Sequence, residues 1–130
     1  LQGIIMAQKL VKGIAALPAL LMLVMGVNWI IDPASAAQGL GMEYLEGQGR
    51  STQVGDMTSF FLGVGVMALL GLWTENRTWL YSASLLMGGA AVFRTLTWAV
   101  HDAPFATVSI AIEVVSVALF LTAARQLQHE

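Results

Sequence analysis

The sequence predicts an all-α fold, a four-helix transmembrane bundle. Three observations predict it. The chain is 57% hydrophobic and 11% charged over 130 residues, with a mean hydropathy of +0.73; soluble domains run to roughly 45–50% apolar and about 25% charged. Four segments, 10–31, 54–74, 78–100 and 103–124, reach the length of about 20 mostly apolar residues that a hydrocarbon core requires. No alternating pattern reaches the roughly ten residues of a barrel strand. Backbone groups in lipid must then be satisfied within each segment, which leaves helices. The length fits one domain, 1–130.

The first segment carries no charge after Lys12, from Gly13 to Ile31, and contains Pro18, which is expected to bend it. Lys9 and Lys12 ahead of the apolar run, with "ASA" at 34–36, give the outline of a signal peptide. The run is too long for such a region, and a true span is expected. "MAQKL" from Met6 reads as a natural start, with residues 1–5 either a remnant upstream of it or the result of a misplaced start.

A long loop, 32–53, follows. In "DPASAAQ", Asp32 as N-cap and Pro33 at the first helical position read as a short helix ended by Gly39 and Gly41. A short interfacial helix and an ordinary ordered loop are both compatible with this stretch. "EGQGR", 46–50, reads as a flexible turn. The second segment, 54–74, leads into a tight hairpin of Glu75, Asn76 and Arg77 and the third segment, 78–100. "HDAP" joins the third segment to the fourth, with Asp102 or Ala103 as cap and Pro104 in the first turn.

Orientation follows from lysine and arginine placement. With both termini inside, Lys9, Lys12, Arg77 and Arg125 are cytoplasmic and Arg50 alone lies in an outer loop. Trp29 and Trp98 then fall at the outer interface, and Trp73 and Trp79 at the inner one. A bacterial inner membrane is the expected location.

Composition excludes several functions. The net charge of −2, without a basic cluster, gives no nucleic-acid footprint. Zero cysteines exclude disulfides, thiolate metal sites and a thiol nucleophile. No metal set and no cofactor motif stands out. "GVGVMA", 63–68, matches G-x-G-x-x-A but sits mid-span, not between a strand and a helix. Close helix packing is the plainer reading. Gly55, Ser59 and Gly63 form one small-residue ridge, and Ser84 with Gly88 another. Packing inside the bundle is favoured over an oligomer interface. "NRT", 76–78, is a glycosylation sequon on the inner side, where it stays unmodified. Glu43 and Glu46 read as a solvated loop face, His101 as a loop residue and His129 as part of a frayed tail. The seven methionines read as apolar filler.

The charges inside the spans carry the functional question. Asp56, Arg94 and Glu113 stand one per segment in the second, third and fourth. Such residues are costly in lipid, turn inward and find partners. Arg94 lies roughly 10 Å, and Glu113 roughly 15 Å, from the outer ends of their segments at 1.5 Å per residue. Arg94 is expected to pair with Glu113, or failing that with Asp56. Asn28, His101 and Asp102 complete a candidate polar cluster at similar height. Ser109 and Ser116 flank Glu113, and Thr97 extends the Arg94 face. A buried staple that fixes helix register is weighed ahead of an outward-opening polar pocket.

"GDMTSFFLGVGVMALLGL", "MGGAAVFRTLTWAVHDAP" and the glutamate of "IAIEVVSVALFL" resemble a family of small bacterial four-helix membrane proteins, DUF4345, which is similar in layout to DoxX-like bundles. The likeness runs from about residue 10 to 122. Its glycine-led second helix, glycine–arginine third helix and acidic fourth helix fall on Gly55, Asp56, Gly63, Gly88, Arg94, Asp102 and Glu113. Ala103 departs from the glycine that often follows the loop aspartate. The resemblance implies the fold and an interest in Arg94 and Glu113, and it brings no activity. Two function classes follow. One is a non-enzymatic structural or accessory membrane protein, a candidate subunit of a larger complex. The other is an outward-facing binder or carrier of a lipid-like molecule, an anion or a proton. An enzyme ranks third, for want of a nucleophile–base or metal constellation. Expected partners are membrane lipids and other membrane subunits.

Overall fold

A computed structural model describes residues 1–127; His129 lies outside the described residues. Five helices follow in order: α1 (Gln2–Ile31), α2 (Pro33–Gly39), α3 (Gly47–Thr74), α4 (Arg77–Val100) and α5 (Thr107–Leu127). Four of them, all but α2, are long and apolar enough to cross a membrane, and the protein is a multi-pass membrane protein. The four long helices form a ring in chain order, α1 on α3, α3 on α4, α4 on α5 and α5 back on α1. One end of the bundle carries the α3–α4 hairpin. The other carries α2 and the loops at 40–46 and 101–106. These are the hairpin end and the loop end below.

Most junctions form where local chemistry places them. Asp32 accepts a hydrogen bond from Ser35 N (3.3 Å), with Pro33 beside it at the start of α2. Gly41 leaves α2 at φ +72°, a value glycine adopts without a Cβ clash. Asn76 accepts from Thr78 N (3.0 Å) to cap α4, while Glu75 in left-handed backbone ends α3. Lys12 pairs with Glu75 and ties α1 to this turn.

Three helix starts depart from the sequence reading. Helix α3 begins at Gly47, so "EGQGR" is not a flexible turn; it holds the first helical residues. Side chains on that turn explain the extension. Gln53, 6% exposed, accepts from Leu45 N (3.0 Å) and donates to Glu43 O (2.9 Å). Arg50 donates to Leu45 O (2.8 Å) and lies over the Tyr44 ring (4.1 Å). The loop's backbone is thereby satisfied by the helix that follows it. Helix α5 begins at Thr107, later than 103, so neither Asp102 nor Ala103 caps it and Pro104 lies ahead of its first turn. Asp102 sits at φ +54°, turning the chain, and Phe105 packs edge-on against Trp98 (5.2 Å between centroids). Helix α1 also begins earlier than 10, at Gln2, and continues through Pro18.

The packing glycines differ from those expected. Gly55 and Ser59 are exposed, and a Cβ on Gly55 or Gly63 would meet nothing within 4 Å. That ridge therefore does not pack within the bundle. The close approaches are at Gly26 and Gly65 between α1 and α3, and at Gly71 between α3 and α4. A Cβ on Gly65 would stand 2.9 Å from the Ala19 carbonyl oxygen and 2.7 Å from Leu23 Cδ2. Ser84 is buried, and Gly88 faces Val117 of α5 in ordinary contact. Trp29 is not a belt residue: it is fully buried, because the buried face of α2, Ala36 and Ala37, folds over that end of α1. Trp73, Trp79 and Trp98 are exposed.

Candidate functional site

Beyond Ala91 no residue of α4 is buried, and on α5 none before Glu113 is buried. The α4–α5 pair is therefore tightly packed toward the hairpin end and loosely covered at the loop end. There a cleft of about 130 Å³ opens between the helices, far more than the roughly 10–15 Å³ that one water needs. Met22 and Met25 of α1, Phe60 and Phe61 of α3 and Met87 of α4 make its apolar wall, and Gly39 and Leu40 border it at the end of α2. Methionine and phenylalanine give a wall that is apolar, polarisable and adaptable in shape.

Arg94 and Glu113 supply the charge on this cleft. Arg94 stands six residues before the end of α4 at Val100, and Glu113 six residues after the start of α5 at Thr107. At 1.5 Å per residue each lies about 9 Å from the helix end. The height offset implied by a helix starting at 103 disappears with the later start of α5. Arg94 Nε donates to Glu113 Oε2 at 3.1 Å. The Glu113 side chain is 7% exposed and that of Arg94 33%.

The pair is only partly satisfied. A guanidinium has five donors and a carboxylate about four acceptor positions. Here one N–H meets one oxygen. Glu113 Oε1 is buried and has no hydrogen-bond partner among the described residues. Among the described residues, Arg94 donates to no other group. Ser109, one turn before Glu113, also lines the cleft. Ser116 is occupied, donating to Ile112 O (2.6 Å). In low dielectric an unpaired polar atom costs a large fraction of its hydration energy. The two orphaned positions therefore favour a third group that accepts from Arg94 and donates to Glu113.

The other residues of the expected cluster are elsewhere. Asp56 is exposed on α3 and forms no ion pair among the described residues. Asn28 is exposed beside a second cleft of about 200 Å³, bordered by Trp29, Ser35 and Ala36 under α2. His101 and Asp102 are exposed where α4 ends, and Thr97 donates to Phe93 O of its own helix (2.7 Å). Sequence reasoning missed the apolar wall and the Gly39–Leu40 border. Methionines and phenylalanines at these spacings look like any lipid-facing or core position, so no residue signal marks them.

A family model described as a domain of unknown function, DUF4345, matches residues 10–124. The chain belongs to the DUF4345 family. No curated protein and no solved structure matches it. The DUF4345 match spans all four membrane-crossing helices and includes both Arg94 and Glu113. It adds no activity to the geometry, so function rests on the cleft.

Proposed function

We propose that this small membrane protein binds an amphiphile, holding its polar head in the cleft at Arg94 and Glu113. One observation carries the reading: a part-buried ion pair that, among the described residues, leaves Glu113 Oε1 without a partner and the outer guanidinium nitrogens of Arg94 undonated, in two side chains that line a cleft with apolar walls. A pair serving only to staple α4 to α5 would be most stable fully bidentate and dry. The loop end faces outward by the lysine and arginine count, in a bacterial inner membrane. The protein acts by binding or carrying its ligand, without converting it. The test is native mass spectrometry from mild detergent. The wild type is expected to retain an amphiphile, and Arg94→Leu with Glu113→Leu to fold and lose it. A wild type without any adduct, or a folded double variant that keeps the adduct, would overturn the reading.

A second reading, an accessory subunit of a larger complex, is favoured by one feature. The Gly55–Ser59–Gly63 ridge offers a small-residue track on α3, exposed at Gly55 and Ser59, where among the described residues nothing lies within 4 Å of a Cβ built on Gly55 or Gly63. Such tracks let a neighbouring helix approach closely in lipid.

A further inference from the structure

We infer that the head is net neutral and carries both an anionic or acceptor group and an N–H or O–H donor, as phosphoethanolamine does, and that its tail leaves the cleft between α1 and α5. The inference rests on the binding reading above and specifies its ligand.

The head follows from charge balance. Arg94 and Glu113 together carry no net charge, so a net anion would meet the carboxylate as well as the guanidinium. Within about 4 Å, in a poorly screened site, that repulsion offsets much of the attraction. A zwitterion satisfies both orphans: its phosphate accepts from the outer nitrogens of Arg94, and its ammonium donates to Glu113 Oε1. Hydrogen bonds in which both partners are charged are the stronger kind. Ser109, on the same cleft, offers a further hydroxyl to the head.

The tail follows from continuity. A largely apolar groove of about 410 Å³ runs between α1 and α5, lined by Leu17, Pro18, Leu21, Ile112, Val115 and Leu119 among others, with Ser116 as its polar member. Ile112 borders both the groove and the cleft. On α5 the groove's lining runs from Ala111 and Ile112 to Leu119, away from the loop end. A head about 9 Å below the helix ends, with its chain directed toward the bilayer centre, has the pose of a lipid in the loop-side leaflet.

The test uses the unmodified protein in nanodiscs or mild detergent, exchanged with synthetic lipids of identical chains and read by native mass spectrometry. Phosphatidylethanolamine and its N,N-dimethyl form keep an N–H donor; phosphatidylcholine has none. The first two are expected to be retained about tenfold or more above phosphatidylcholine, the change that one hydrogen bond to a charged group gives. Phosphatidylglycerol, a net anion, is expected to fall below phosphatidylethanolamine. Glu113→Gln should lower retention of phosphatidylethanolamine and not that of phosphatidylcholine. Ile112→Trp should lower retention, and Val114→Trp, on an exposed face of the same helix, should not. Equal retention of phosphatidylcholine, or preference for phosphatidylglycerol, overturns the head assignment while amphiphile binding stands. Unchanged retention in Ile112→Trp overturns the tail path. Retention of no lipid at all overturns the binding reading itself.

Discussion

Arg94 and Glu113 show what a single charge inside a span can and cannot reveal. That Arg94 needs a carboxylate follows from the cost of an unpaired charge in lipid, and three intramembrane charges left two candidates. Glu113 is the partner in the structure, at 3.1 Å. The unmet Oε1 was not legible, because it depends on which nitrogen Arg94 uses, and that is set by how α4 and α5 are placed against each other in the folded bundle. The pair should behave as a coupled unit. Breaking a buried pair from one side costs about 3–5 kcal/mol in soluble proteins. Arg94, with 33% of its side chain exposed, should sit at or below the lower end. Arg94→Ala is expected to lower thermal stability in detergent more than Arg94→Ala combined with Glu113→Gln, since the second change removes the stranded charge. Additive losses in that double-mutant cycle would show that the two do not interact. Lys12–Glu75, exposed at the hairpin end, should contribute far less, as surface pairs do.

At the scale of elements, the length of the apolar runs located all four spans, the polar break at 75–77 located the α3–α4 hairpin, and the Asp32–Pro33 cap made α2 one of two readings of its stretch. The errors came from contacts distant in sequence. Nothing in "EGQGR" shows that Gln53, further along, will bond back to the backbone at 43 and 45 and make helix of it. Gln53→Leu should leave Leu45 N and Glu43 O without their partner. A loss of about 1–3 kcal/mol is expected, with faster amide exchange confined to the 43–50 stretch. Exchange that stays at wild-type rates there would show that the amide does not hold the loop. The glycines were misjudged for the same reason. A ridge of small residues shows that a helix can be approached, but not from which side. Gly65 takes the approach of α1, and Gly63, two residues away, points elsewhere. Gly65→Ala should destabilise by about 1–3 kcal/mol, because the added methyl meets the Ala19 carbonyl, which backbone cannot easily yield. Gly63→Ala, with open space around it, should unfold at or above the wild-type temperature. Equal effects of the two would place the α1–α3 contact wrongly.

At the scale of the whole molecule, the fold was legible because composition and the backbone's demand for internal hydrogen bonds allow few alternatives in lipid. The cleft was not, since it arises from how the α4–α5 pair sits against α1 and α3 at one end. What that end faces decides which leaflet and compartment supply the ligand. Lys9, Lys12, Arg77 and Arg125 lie at or near the hairpin end, and Arg50 at the loop end. Basic residues flanking spans are retained on the cytoplasmic side, whereas acidic ones count for little. The hairpin end is therefore expected inside, and the cleft beneath the outer surface. The chain has no cysteine, so introduced thiols report without background. Gln48→Cys, exposed at the start of α3, is expected to react with an impermeant maleimide on intact cells. Gln2→Cys, exposed at the start of α1, should react only after the membrane is opened. The reverse pattern would turn the bundle over. The ion pair, cleft and α1–α5 groove would keep their geometry, but the amphiphile would then come from the cytoplasmic leaflet. Cells exposed to a head-group probe from outside should accordingly load the site only in the first orientation, which makes the two labelling results and the loading result mutually checking.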